Sequence, residues 1–196
     1  MADNNKVKFG LENVYYAMAT IADDGTATYG TPKHIPGAVS LNQDPQGDMT
    51  VFRADNMDYY VMANNDGYQG DLEMARFPDE FRRDVFNEYV DVNSLQVEQV
   101  STEAKYFALL FEFKGDANKT RHVLYKCTAT RPAISSQTTP SGSVEPVTET
   151  STIRAGQIHV SGIDKDVVKA KVAQSDSKYA TWFESVTLPA AEATGD

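Results

Sequence analysis

A single cysteine, Cys127, stands in 196 residues, so no intramolecular disulfide can staple this chain. Stability has to come from a core. Long apolar runs are missing too, and none approaches the ~20 residues that span a bilayer as a helix. Basic residues are in deficit, 18 against 28 acidic, for a formal net charge of −10. That disfavours a sequence-reading nucleic-acid binder, which carries a clustered basic face, and is unlike a polybasic membrane-surface protein. The opening residues, Met1-Ala2-Asp3-Asn4-Asn5-Lys6, lack the apolar stretch of a signal peptide. The expectation is a chain made in a cytoplasm and soluble there, with no membrane partner.

Motifs that carry chemistry are as scarce. Neither GxGxxG nor the Walker pattern GxxxxGKS/T occurs, so no phosphate cradle is indicated, and no serine sits in a GxSxG elbow. His34, His122 and His159 fall in different segments, with no carboxylate or cysteine at metal-ligand spacing. Cys127 alternates with Val123, Tyr125 and Ala129, which reads as a buried, inert thiol on one strand face. Asp55-Asn56-Met57-Asp58 and Asn64-Asn65-Asp66-Gly67 miss the EF-hand register and read as turns. The expectation is no catalytic residue, no metal and no cofactor: not an enzyme.

What is present is β patterning. The 41% hydrophobic content supports a folded chain, and at this length roughly 70% of the extended-state surface is buried. Two runs, Tyr106 to Phe113 and Arg121 to Thr130, flank a Gly115-Asp116-Ala117-Asn118 turn. Phe107, Leu109, Phe111 and Phe113 share one strand face; Tyr106, Ala108 and Leu110 line the other. A strand apolar on both faces must be covered on both, which predicts the centre of a β-sandwich or barrel core. Residues 7–18 predict a long opening strand with a bulge near Glu12-Asn13, closed by Asp24-Gly25, a pair that favours a type I′ turn.

One helix is expected from Phe77-Pro78-Asp79-Glu80, packing Phe81, Val85 and Tyr89 on the sheet. A second, short C-terminal helix is expected from Asp176 or Ser177 to Pro189, burying Tyr179, Trp182, Phe183 and Val186. Residues 135–146 read as a solvated loop and 189–196 as a tail, within one domain. Residues 39–71 alternate strand-like pieces with turns and carry Phe52, Tyr59, Tyr60 and Tyr68. A projecting loop or hairpin of that composition has a binding role. Thr148 to Arg154 is a polar strand with almost no apolar face: an edge strand, or one lining a water-filled interior.

Blocks running in order along the chain resemble the major tail tube proteins of non-contractile-tailed phages (siphophages) of Gram-positive bacteria. They include Lys6-Val7-Lys8-Phe9-Gly10-Leu11, Ile35-Pro36-Gly37-Ala38-Val39, Gly70-Asp71-Leu72-Glu73 and Pro78-Asp79-Glu80-Phe81-Arg82. Phe107 to Phe113 continuing through Arg121 to Pro132, Glu145-Pro146, Val168-Lys169-Ala170-Lys171 and Trp182-Phe183 complete the set. The resemblance implies a β-sandwich or barrel core with a flanking helix. It also implies a structural virion protein of the phage tail, whose hexameric rings stack into a tube that conducts DNA at infection. Its implied partners are itself, with the tape-measure protein, tail terminator and distal tail protein; DNA passes without specific binding. Residues 39–71 then become the inter-ring loop, with Phe52, Tyr59, Tyr60 and Tyr68 as contacts. Glu149, Thr150 and Thr152 become lumen-facing candidates. The acidic charge keeps DNA mobile in the lumen, or only keeps an abundant subunit soluble; charge totals do not separate the two. The alternative is a carbohydrate-binding β-sandwich module stacking sugars on Tyr59, Tyr60 and Tyr68. A hydrolase reading lacks any nucleophile–base pair.

Overall fold

Strand pairing organises the molecule, which is mainly β. The computed structural model describes residues 9–100, 105–116, 118–138 and 146–191. The chain opens with β1 (Leu11–Ile21), β2 (Ala27–Tyr29), β3 (Lys33–His34), β4 (Ala38–Leu41) and β5 (Asp44–Gln46). The pair β6 (Met49–Ala54) and β7 (Met57–Ala63) follows, then β8 (Gly67–Met74) and the helix α1 (Asp79–Val85). After it come β9 (Tyr89–Val90), β10 (Gln96–Val97), β11 (Tyr106–Phe113), β12 (Arg121–Ala129) and β13 (Glu149–Gly156). Three short strands end the series: β14 (Ile158–Val160), β15 (Lys165–Val167) and β16 (Lys169–Val172).

The main sheet runs β2-β1-β11-β12-β13-β8-β4, with β3 on β1, β5 on β8 and β16 on β12. Because β3 pairs with β1 while β4 pairs with β8, the segment 33–41 joins the first strand to the last. Ile35 N–H donates to Val14 O at 2.7 Å along that seam. The sheet therefore curls into a barrel around Val14, Tyr16, Phe107, Leu109, Leu124, Ile153, Leu72 and Met74. α1 closes the end where β8 stops and β13 begins, setting Phe81 edge-on to Tyr16 at 4.9 Å and to Phe107 at 5.8 Å. Ala108, Leu110, Val123 and Tyr125 face the other way, into a second cluster with Ile158, Val160, Val172 and Trp182. β11 is thus covered on both faces, as its sequence required.

Local rules account for most of the details. The bulge near Glu12-Asn13 is there, with Asn13 at φ 52 and a register shift between Glu12 and Tyr15. The Asp24-Gly25 turn is of a different type from the one expected. Only Gly25 has positive φ, and Ala22 both accepts from Gly25 N–H and donates to Thr26 O. That is a type I turn followed by a glycine bulge, with the Asp24 carboxylate held by the Thr26 N–H and hydroxyl at 2.9 and 2.7 Å. Cys127 is buried as expected but on the opposite face. Tyr125 and Lys126 together oppose Ala108, so this bulge turns Cys127 inward beside Leu124 while Val123 and Tyr125 pack outside. Burial pushes the thiol pKa well up.

Two helical expectations need correction. α1 stops at Val85 because Asn87 adopts φ 57, so Phe86 takes the buried aromatic position and Tyr89 lies exposed on β9. The C-terminal helix does not form. Its residues make successive turns, with Tyr179 N–H to Asp176 O at 3.0 Å, Trp182 N–H to Tyr179 O at 3.2 Å and Glu184 N–H to Thr181 O at 3.0 Å. Arg121 donates to Tyr179 O at 2.6 Å and lies 3.8 Å from the Tyr179 ring and 4.6 Å from the Phe183 ring. Tyr179 O, which an α-helix would give to Phe183 N–H, is spent on Trp182 and Arg121. Residues rich in Ser, Asp, Thr and aromatics do not resist that. The burial of Trp182 survives, because turns and helix share the i, i+3 spacing. Residues 135–138 and 146 are exposed and carry no strand or helix; 139–145 and 192–196 lie outside the described residues.

Candidate assembly interface

β6 and β7 form a two-stranded ribbon apart from the main sheet. Asp55 and Asn56, at φ 51 and 67, make the two-residue type I′ turn between Ala54 and Met57. Every residue of β7 is exposed, and so is β6 up to Arg53. Met49, Val51, Phe52, Met57, Tyr59, Tyr60, Val61 and Met62 are each 42–68% exposed. Tyr59 and Tyr60 together oppose Phe52 at a bulge, and the Phe52 and Tyr59 rings meet edge to face at 6.5 Å. At the usual rise per residue the arm is about 20 Å long. A two-stranded hairpin with so much apolar surface is marginal alone in water and marks a surface that is covered by something else.

The root of this arm is tightly built. Asn64 N–H donates to Asp48 O at 3.1 Å and Asp66 N–H to Gln46 O at 2.9 Å, while β5 pairs with β8 from Asp44 to Gln46. The Asn64-Asn65-Asp66-Gly67 run makes this turn, with Asn64 Nδ2 donating to Asp66 Oδ1 at 2.7 Å and Gly67 N–H to Asn65 Oδ1 at 3.1 Å. Only residues 49–63 project. The rest of 39–71 is strand in the main sheet, so the expected long loop is a short arm on a rigid base. Phe52, Tyr59 and Tyr60 lie on it. Tyr68 does not: the Gly67 turn returns the chain to the barrel, where Tyr68 is half-buried with Lys169 Nζ 4.3 Å from its ring centroid. The three tyrosines therefore form no common platform for a sugar.

The polar strand β13 is not an edge, since it lies between β12 and β8. Ser151, Ile153 and Ala155 are fully buried, and the Ser151 hydroxyl donates to Thr130 O at 2.6 Å. Small inward residues hid this face from a reading that looked for large apolar ones. Thr150, Thr152 and Arg154 point outward, paired with Glu73, Asp71 and Gln69 of β8. Thr152 Oγ1 donates to Asp71 Oδ1 at 2.8 Å, and Glu73 accepts from Thr148 Oγ1 at 2.6 Å and Ser40 Oγ at 2.8 Å. The Thr148 hydroxyl first, then that of Ser40, holds the Glu73 carboxyl below its ordinary range. Asp71 and Glu73 belong to this face and were missed, although Gln69, Asp71 and Glu73 alternate in the sequence.

Glu149 cannot share a surface with Thr150 and Thr152, because neighbouring strand residues face opposite ways. It turns inward, accepting Phe77 N–H at 2.8 Å and Arg82 Nη2 at 2.9 Å, and so ties β13 to the start of α1. Both side chains of this ion pair are about four-fifths buried (19 and 24% exposed). Glu149→Gln is expected to cost about 2 kcal/mol, the worth of a charge-assisted bond, and to lower Tm by roughly 4–8 °C. Thermal denaturation followed by circular dichroism checks this.

A second exposed apolar strip lies on the β9–β10 hairpin, where Val92 is 99% and Leu95 59% exposed. Among the described residues no group of three or more His, Cys, Asp or Glu is placed to hold a metal ion.

No family model and no curated relative matches this chain. Among solved structures it is similar to a chain of the anti-feeding prophage baseplate, at 11% identity over 85% of this chain and 94% of that one, with a TM-score of 0.44. It is also similar to a chain of the cap that terminates the anti-feeding prophage tube, at 12% identity over 88% and 99%, with a TM-score of 0.40. Likenesses this distant carry no functional inference.

Proposed function

We propose that this chain is a non-enzymatic structural subunit of a phage tail, the major tail tube protein, which polymerises with copies of itself. The observation that carries the reading is the β6–β7 arm, an apolar ribbon exposed on a rigid root. The ordered sequence blocks that resemble siphophage tail tube proteins supply the rest. Hexameric rings stack through the arm into a tube within the virion, bounded by tape-measure, terminator and distal tail proteins. The outward face of β8 and β13, with Thr150, Thr152, Asp71 and Glu73, is assigned to the lumen in place of Glu149. On this face Arg154 is the one cation of β13 among hydroxyls and carboxylates, so DNA phosphates find few cations to exchange against counter-ions and the duplex slides without sticking.

Electron microscopy of the purified chain across salt and protein concentration tests the proposal. Rings or tubes are the expected result; dispersed particles under every condition would remove it.

A further inference from the structure

We propose that the open end of the barrel is a socket that receives Tyr59 from the arm of a second copy. This deepens the self-assembly reading and rests on it. Among the described residues, α1 closes one end of the barrel and no helix or strand closes the other. At the other, a cavity of about 330 Å³ opens between Leu41, Gln43, Tyr68, Phe111, Phe113 and Lys169, among others. Both polar side-chain atoms of Gln43, Nε2 and Oε1, are shielded from solvent and have no hydrogen-bond partner among the described residues. A buried carboxamide left without partners costs free energy, and any group that both donates to it and accepts from it recovers that cost. Gln43 lies on the cavity wall, so a side-chain rotation turns its amide into the opening.

The exposed residues of the arm narrow the occupant. Phe52, Met57, Val61 and Met62 bring apolar surface but no polar tip. A tyrosine brings both: a ring for Phe111 and Phe113, and a hydroxyl that donates to Oε1 and accepts from Nε2. Of the two arm tyrosines, Tyr60 is the backbone register partner of Phe52, whereas Tyr59 is the extra bulge residue, is the more exposed at 68% against 59%, and meets Phe52 only edge to face at 6.5 Å. Charge agrees. Asp58 precedes Tyr59, and Lys169 stands on the socket wall. The Asp58–Arg53 pair at 3.2 Å is surface-exposed and readily exchanged. A copy does not fill its own socket, because its arm is rooted beside the opening at Gln46 and Gly67 and the paired strands carry Tyr59 outward from that root. Arm and socket are unlike surfaces, so a contact repeated head-to-tail from copy to copy builds rings or filaments.

The test is the protein concentration at which tubes appear, by sedimentation and electron microscopy. Tyr59→Phe and Gln43→Leu are each expected to raise it about tenfold, since each leaves one buried polar partner unmet. The double variant is expected to return to within about threefold of the unmodified protein, because an apolar pair satisfies itself. Circular dichroism on each variant reports folding, and Tyr59→Phe at an exposed site leaves the fold intact. If the unmodified protein forms tubes while the single variants assemble as well as it does, or the double variant loses the sum of both, the socket is overturned and the self-assembly reading stands. If the unmodified protein forms no assembly at all, both fall. A benzophenone amino acid at position 59 adds a direct readout. Cross-links to the peptides that carry Leu41 and Gln43, Tyr68, β11, β12 or β16 support the socket, and cross-links confined to other segments overturn it.

Discussion

Replacing Met49–Ala63 by an Asn-Gly turn between Asp48 and Asn64 is expected to leave a folded subunit that forms no tube. None of the excised residues belongs to either buried cluster, so the core loses no packing. The Asn64 N–H to Asp48 O bond already brings the cut ends together, and Asn-Gly supplies the positive φ values that a two-residue hairpin turn requires. Tm should therefore move by no more than about 2 °C, the scale of a surface change of about 0.5 kcal/mol. Assembly should be lost at every concentration, because the apolar ribbon that contacts the next copy is gone. Circular dichroism melts and electron microscopy of one preparation check both halves. A cooperative fold with tubes still present would remove the arm from the assembly mechanism, and a lost melt would show that the ribbon supports the core. The cut has to stop at the root. Removing 43–66 would also take β5, which pairs with β8, and would confound assembly with folding.

The sequence disclosed those parts of the fold in which side-chain period and burial agree. Phe107, Leu109 and Phe111 against Ala108 and Leu110 announced a strand covered on both sides, and both clusters are there. The arm was visible as strand-like pieces broken by Asp55-Asn56, a pair that tolerates positive φ. The misses have physical causes. The bulge at Tyr125-Lys126 reverses the alternation after it, and no composition rule marks where an extra residue enters a strand. β13 buries Ser151 and Ala155, whose size suits a tight curl but gives no apolar signal. Glu149 reads as a surface acid until Arg82 and the Phe77 amide, 67 and 72 residues away, are brought to it. Tyr68 shares composition with the arm and differs only in lying beyond the Gly67 turn. The C-terminal turns mimic a helix because the Arg121 contacts that displace one are non-local. Gln43, central to the proposed socket, left no trace in the sequence, since an unpartnered amide is a property of three-dimensional packing alone.

Gly67→Ala is expected to be the most damaging single-atom addition at the arm's root. Gly67 has φ 95, a region that costs an L-residue about 1–3 kcal/mol. An added Cβ would also lie 1.9 Å from Ala155 O, a backbone atom of the paired strand, so no side-chain rotation can relieve the clash. Strands β8 and β13 would have to separate where Tyr68 faces Ala155, and the Gln46–Gly67 pair that holds the arm would open with them. A loss of at least about 3 kcal/mol is expected, a fall in Tm of roughly 6–12 °C. Gly156→Ala is the matched control, one residue beyond Ala155 on β13, where an added Cβ meets nothing within 4 Å and φ is not positive. That change should stay within about 0.5 kcal/mol of the unmodified protein. Equal melts for the two variants would mean that β8 does not cross β13 this closely. The expected gap between them follows from the close approach of the Gly67 backbone to Ala155 O, which fixes the strand pairing from which the arm departs.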